Sequence, residues 1–98
     1  MTREVSLIVN DQPISLDYFV QGFIDHTVAG MLAGLEGVDT IRTVELTIDG
    51  DNVAIILNDV SLPLNPFVGK VIRNTTLGMI STLKGVGEVK GLRISAKR

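Results

Sequence analysis

Ninety-eight residues with 45 % hydrophobic and 20 % charged side chains, a net charge of −2 and no cysteine carry enough apolar surface to offset the entropy of ordering one domain. The missing cysteine excludes disulfides, thiolate catalysis and thiolate-held metals, and the charge offers no broad attraction to nucleic acid. Only Tyr18, Phe19, Phe23 and Phe67 are aromatic, so the core has to be built from Val, Ile and Leu.

Met1-Thr2-Arg3-Glu4 runs straight into an alternating pattern rather than a signal peptide. Val5, Leu7 and Val9 alternate with Ser6 and Asn10, the period of a strand. Asn10-Asp11 makes a turn, and Pro13 bars a central strand beyond it. Asp17 is placed to cap a helix over residues 17–36 that Gly37 stops. With Thr27 at zero and about 100° per residue, Val20, Ile24, Met31 and Leu35 fall within about 80° of one another and form the expected core stripe. Asp25 and Glu36 fall on the far side, where solvent is expected. Gln21, Asp25 and His26 make this helix too polar for a membrane span of ~20 residues. Val44, Leu46 and Ile48 then alternate with Thr43, Glu45 and Thr47 as a second strand. Asp49-Gly50-Asp51 turns tightly into a third strand through Val53, Ile55 and Leu57.

From there the chain repeats itself. Shifted by 48 positions, residues 5–50 lie on 53–98 without a gap, and fourteen of the forty-six pairs are identical, among them Asn10/Asn58, Asp11/Asp59, Phe19/Phe67, Thr27/Thr75, Gly30/Gly78 and Gly37/Gly85. A repeat of this length is a copied supersecondary unit. Asn65 and Pro66 supply the cap and first position of a second helix over 65–84, stopped by Gly85, with Val68, Ile72, Met79 and Leu83 as its stripe. Arg73 and Lys84 lie opposite that stripe, as Asp25 and Glu36 do in the first copy. Leu92, Ile94 and Ala96 form the last strand.

The expected architecture is therefore α+β: a single domain over 1–98 made of two tandem βαβ repeats. With right-handed crossovers, these close into a ferredoxin-like sandwich, a four-stranded antiparallel sheet with two helices on one face. Its first and third strands would be central and its second and fourth at the edges. The alternative adds short strands at 12–16 and 60–64, hairpinned across Asn-Asp, giving ββαβ twice. Gly30 and Gly78 flank the expected stripes and are read as the close contact between the helices, where a leucine would overpack. Thr27 and Thr75 are expected to be satisfied core hydroxyls.

Candidate chemistry is sparse. His26, the only histidine, neighbours Asp25, but adjacent helical residues point ~100° apart and the second copy has Arg73 and Asn74 there, so it is read as a surface side chain. Asp11, Asp49 and Asp51 could gather at one end of the sheet and hold a hard cation through oxygen ligands, although turns also favour aspartate. There is no phosphate loop, since Gly69-Lys70 is followed by Val71. The strand positions that would stack bases in an RNA-binding domain hold Ser6, Ile8, Ala54 and Ile56. No cofactor is implied, no motif identifies a family, and an enzyme ranks last among the readings.

Two surfaces point to partners. Ile8, Ile56 and Ala54 are expected to form an apolar centre on the sheet face away from the helices. Glu45 and Asp49 on one edge and Arg93 and Lys97 on the other would cross-match in a twofold dimer. The outer side of the first helix offers a smooth strip of Gly22, His26, Ala29 and Ala33. The expectation is a non-enzymatic, homo-oligomeric interaction or regulatory domain of the cytoplasm, with no nucleic acid or membrane partner. A small-molecule or cation sensor of unknown ligand is the second reading.

Overall fold

A computed structural model describes residues 4–35 and 37–98. The elements run β1 (Glu4–Val9), β2 (Gln12–Ile14), α1 (Tyr18–Ala33), β3 (Thr43–Asp49), β4 (Asn52–Leu57), β5 (Val60–Leu62), α2 (Pro66–Ile80) and β6 (Gly91–Lys97). The strands form one antiparallel sheet in the order β2-β1-β6-β3-β4-β5. The molecule is α+β, but its sheet has six strands instead of four.

The difference begins at two dipeptides. Asn10 and Asp11 have φ of 50° and 66°, Asn58 and Asp59 of 51° and 68°. Two consecutive positive φ angles are the type I′ turn that matches strand twist, so β1 folds back onto β2 and β4 onto β5. That occupies one edge of β1 and one edge of β4. Each has a single edge left, which β6 and β3 take respectively. The expected pairing of the first strand with the third is thereby blocked, and the free edges of β3 and β6 meet instead. Pro13 lies in β2 at the sheet edge, where a missing N–H is tolerated.

The register makes the two halves equivalent. Leu46 faces Ile94 across the central pair, and these are matching positions of the repeat, so the pseudo-twofold axis passes between them. Every other pair in this ladder maps onto a second one under the 48-residue shift, Thr43–Lys97 onto Asp49–Gly91 for example. Gly50, with φ of 60°, begins the two-residue turn joining β3 to β4, where an L side chain would be strained.

One face of the sheet is buried. Val5, Leu7 and Val9 of β1, Val44, Leu46 and Ile48 of β3, Ile55 of β4 and Leu92, Ile94 and Ala96 of β6 all point to it, and the helices cover them with Ile24, Val28, Leu32, Ile72 and Ile80. The apolar core is aliphatic, with no aromatic ring in it. Asp17 and Asn65 cap as expected, each side chain accepting from an amide three residues on at 2.8 Å.

The buried helical stripe is rotated by roughly 50° from the expected one. It is centred on Ile24-Val28-Leu32 and Ile72-Thr76-Ile80, with Val20, Met31, Val68 and Met79 only half-buried beside it. Thr27 is half-buried and Thr75 exposed, so neither is a core hydroxyl. The identical pair Thr27 and Thr75 is not the buried centre, which tolerates like-for-like exchange such as Leu32 for Ile80. Gly30 and Gly78 are exposed, with open space where a Cβ would stand. They are not a helix–helix seam.

Both helices also end early, at Ala33 and Ile80, and turns follow: the amides of Leu35 and Leu83 donate to the carbonyls of Leu32 and Ile80 at 3.0 and 3.1 Å. In the second copy the hydroxyls of Ser81 and Thr82 donate to the carbonyls of Gly78 and Met79 at 3.1 and 2.7 Å, competing with the helical ladder. Gly37 and Gly85, with φ of 85° and 86°, complete these turns rather than ending the helices. The expected exposure of Glu36 lies outside the described residues.

Candidate interaction surfaces

Asn10 and Asn58 each make three side-chain hydrogen bonds inside the fold. The side-chain amide of Asn10 donates to the carbonyl of Glu88 at 2.7 Å, and its oxygen accepts from the amides of Lys90 and Gly91 at 2.7 and 3.1 Å. Asn58 donates to the carbonyl of Thr40 at 2.7 Å and accepts from the amides of Arg42 and Thr43 at 2.8 and 3.0 Å. These are matching positions, and each Asn fastens the loop of the other copy.

Asp25 is the main departure on α1. Instead of being solvated it is 2 % exposed, because the true stripe brings it to the edge of the core. Arg98 grips it with a guanidinium fork, Nε to Oδ1 at 3.1 Å and an Nη to Oδ2 at 3.2 Å. Two parallel charge-assisted bonds make this a specific pair. In the other copy the matching places hold Arg73 and Gly50, and donor and acceptor are exchanged: Arg73 Nε donates to the carbonyl of Gly50 at 2.7 Å, and its guanidinium stands 3.6 Å from Asp51.

That pair takes Asp51 away from the expected cation site. Asp11 and Asp49 share a groove, but with Lys90 and Arg93, and β6 lies between their strands. Among the described residues no three His, Cys, Asp or Glu side chains are grouped to hold a metal.

On the open sheet face, Glu45 and Arg93 lie on the central strands, not at the edges, and meet within the chain at 3.4 Å. With side chains 41 % and 54 % exposed, the pair contributes at most about 1 kcal/mol. Ile8 is level with Arg93, and Ile56 with Glu45. The two isoleucines are three strands apart and make no common apolar centre. Asp49 and Lys97 sit at opposite ends of β3 and β6. Two shallow grooves related by the pseudo-twofold result. One carries Glu4, Glu45, Asp59 and Lys97, the other Asp11, Asp49, Lys90 and Arg93.

The helix layer presents the aromatic residues. Tyr18, Phe19, Phe23 and Phe67 are 83 %, 74 %, 54 % and 75 % exposed, and the rings of Phe19 and Phe23 lie 6.2 Å apart. A shallow hollow on α1 is lined by Tyr18, Phe19, Gly22, Phe23, His26 and Thr27. Of the predicted strip, Gly22 and His26 belong to this hollow, while Ala29 is half-buried and Ala33 exposed. A helical wheel centred on Val28 places Phe19 roughly 180° from the core.

No described helix is long and apolar enough to cross a membrane. No protein-family model, curated protein or solved structure matches the chain.

Proposed function

We propose that this chain is a non-enzymatic interaction domain that works as a homo-oligomer. The reading is carried by the placement of its rings: all four aromatic side chains stand on the outer sides of the helices, while the core is closed by aliphatic residues alone. A buried phenylalanine stabilises a fold by about 1.5–3 kcal/mol relative to an exposed one, so four exposed rings forfeit a gain that association can recover. Aromatic anchors dominate the energetics of protein contacts. Of the Asp, Glu, Lys and Arg residues, α1 holds Asp25 alone, which is buried and held by Arg98, so the outer face of α1 suits an apolar protein surface better than an anion or a polar metabolite.

Sedimentation equilibrium from about 10 μM to 1 mM tests this. The expected result is a mass above the 10.6 kDa monomer that rises with concentration; a monomer throughout refutes it. The chain has no tryptophan, so Phe23→Trp reports on the ring face during the same titration. A blue shift with concentration places that face in the self-contact. Constant red emission leaves it turned outward in the assembly.

A further inference from the structure

The sheet face opposite the helices is uncovered by any described element, and its charges are arranged for a copy of itself. Residues 5–50 hold seven acidic and one basic side chain, whereas 53–98 hold two acidic and seven basic. The pseudo-twofold therefore relates unlike charges, Glu45 to Arg93 and Asp49 to Lys97 on the two central strands. Because Glu45 and Arg93 adjoin the axis, they neutralise each other inside the chain. Asp49 and Lys97 cannot do so. They are six residues apart along paired strands, roughly 20 Å at 3.3 Å per residue.

We propose that this face binds a second copy of the same chain, sheet against sheet, about a twofold axis lying in the interface and running across the strands. The inference rests on the homo-oligomeric reading above and adds the surface and its orientation. Charge selects the axis. An axis along the strands would lay the groove of Glu4, Glu45, Asp59 and Lys97 on its own copy, three acids and one base against the same set, with Asp49 and Lys97 kept at opposite ends. An axis across the strands lays it on the groove of Asp11, Asp49, Lys90 and Arg93, which carries two acids and two bases, and brings Lys97 of each protomer to about one strand spacing, ~5 Å sideways, from Asp49 of its partner. Such a contact is isologous, with every pair made twice. The available area is adequate. Five strand spacings by the length of the central strands give roughly 500 Å² in projection, of the order of the ~800 Å² of accessible surface that a standard interface takes from each partner.

The test is the dimer dissociation constant of Asp49→Lys, Lys97→Asp and the double variant, measured by sedimentation in low salt. Each single change puts like charges together twice and is expected to weaken the dimer at least tenfold. The double change restores both contacts and is expected to return within about threefold of wild type. Since the two residues do not touch within a chain, rescue can only be intermolecular. Urea midpoints confirm that the variants fold. A wild-type dimer that neither single change weakens overturns this surface and leaves the homo-oligomer standing. Single changes that weaken the dimer without rescue overturn the axis. A wild-type monomer overturns both proposals.

Discussion

Thr76 is 0 % exposed, and its hydroxyl has no hydrogen-bond partner among the described residues. The repeat supplies the control, because the matching residue, Val28, is 2 % exposed in the equivalent place under α1. Thr76→Val keeps the shape of the side chain and replaces the orphan hydroxyl by a methyl. A buried unsatisfied polar group costs about 1–3 kcal/mol. Valine and threonine have similar helix propensities, so little of this is returned by the backbone. The expected gain is about 1–2 kcal/mol, or roughly 5–10 °C in melting temperature for a domain of this size. Urea unfolding at fixed protein concentration measures it, as a rise in midpoint at constant slope. The converse, Val28→Thr, should lose a similar amount. A neutral or destabilising Thr76→Val, with Val28→Thr equally silent, would show that the site satisfies a hydroxyl and that the argument from the repeat fails.

Arg98→Met should be costly for the opposite reason. It removes the guanidinium fork from the buried carboxylate of Asp25, and with the arginine itself only partly buried the expected loss is about 2–4 kcal/mol by urea unfolding; replacing both residues, as Asp25→Leu with Arg98→Met, should recover most of it, and failure to recover would mean the two do more than neutralise each other. Gly30→Ala and Gly78→Ala should each stabilise by about 0.5–1 kcal/mol, since both sites are helical with open space for a Cβ; a loss of more than ~1 kcal/mol in the folded monomer would restore the helix seam that the structure removes.

Local chemistry was legible in the sequence wherever a residue acts on its own neighbours. Asp17 and Asn65 cap, Pro13 sits at an edge, and Asn10-Asp11 and Asn58-Asp59 turn, each for a reason contained in a few residues. The strand order was not legible at that range, because two arrangements use the same hairpin between β3 and β4 and the same pairing of β1 with β6. The arbiter was whether the turn after β1 carries a strand back beside it, and three residues of β2 settle that. The helical faces failed for a different reason. The expected stripe of Val20, Ile24, Met31 and Leu35 is offset by about 50° from the buried one, which misplaced Gly30 and Asp25 together. Centring the stripe on Val28 corrects both at once.

The pattern of identities and inversions separates two kinds of constraint. Asn10 and Asn58 are identical because each fastens the loop ahead of the final strand in the other copy, Asn10 at Glu88–Gly91 and Asn58 at Thr40–Thr43. A change in either breaks one joint between the halves, so neither copy is free to drift alone. Charged positions obey no such rule. Asp25 opposite Arg98 and Arg73 opposite the carbonyl of Gly50 solve one packing problem with exchanged polarity, which shows that the fold requires complementarity at that place and not a particular sign. On the sheet face the same freedom leaves Asp49 and Lys97 inverted with no ion-pair partner among the described residues to account for the choice. Complementarity that the fold does not use internally is available to a second molecule, and the molecule whose charges match it by construction is another copy.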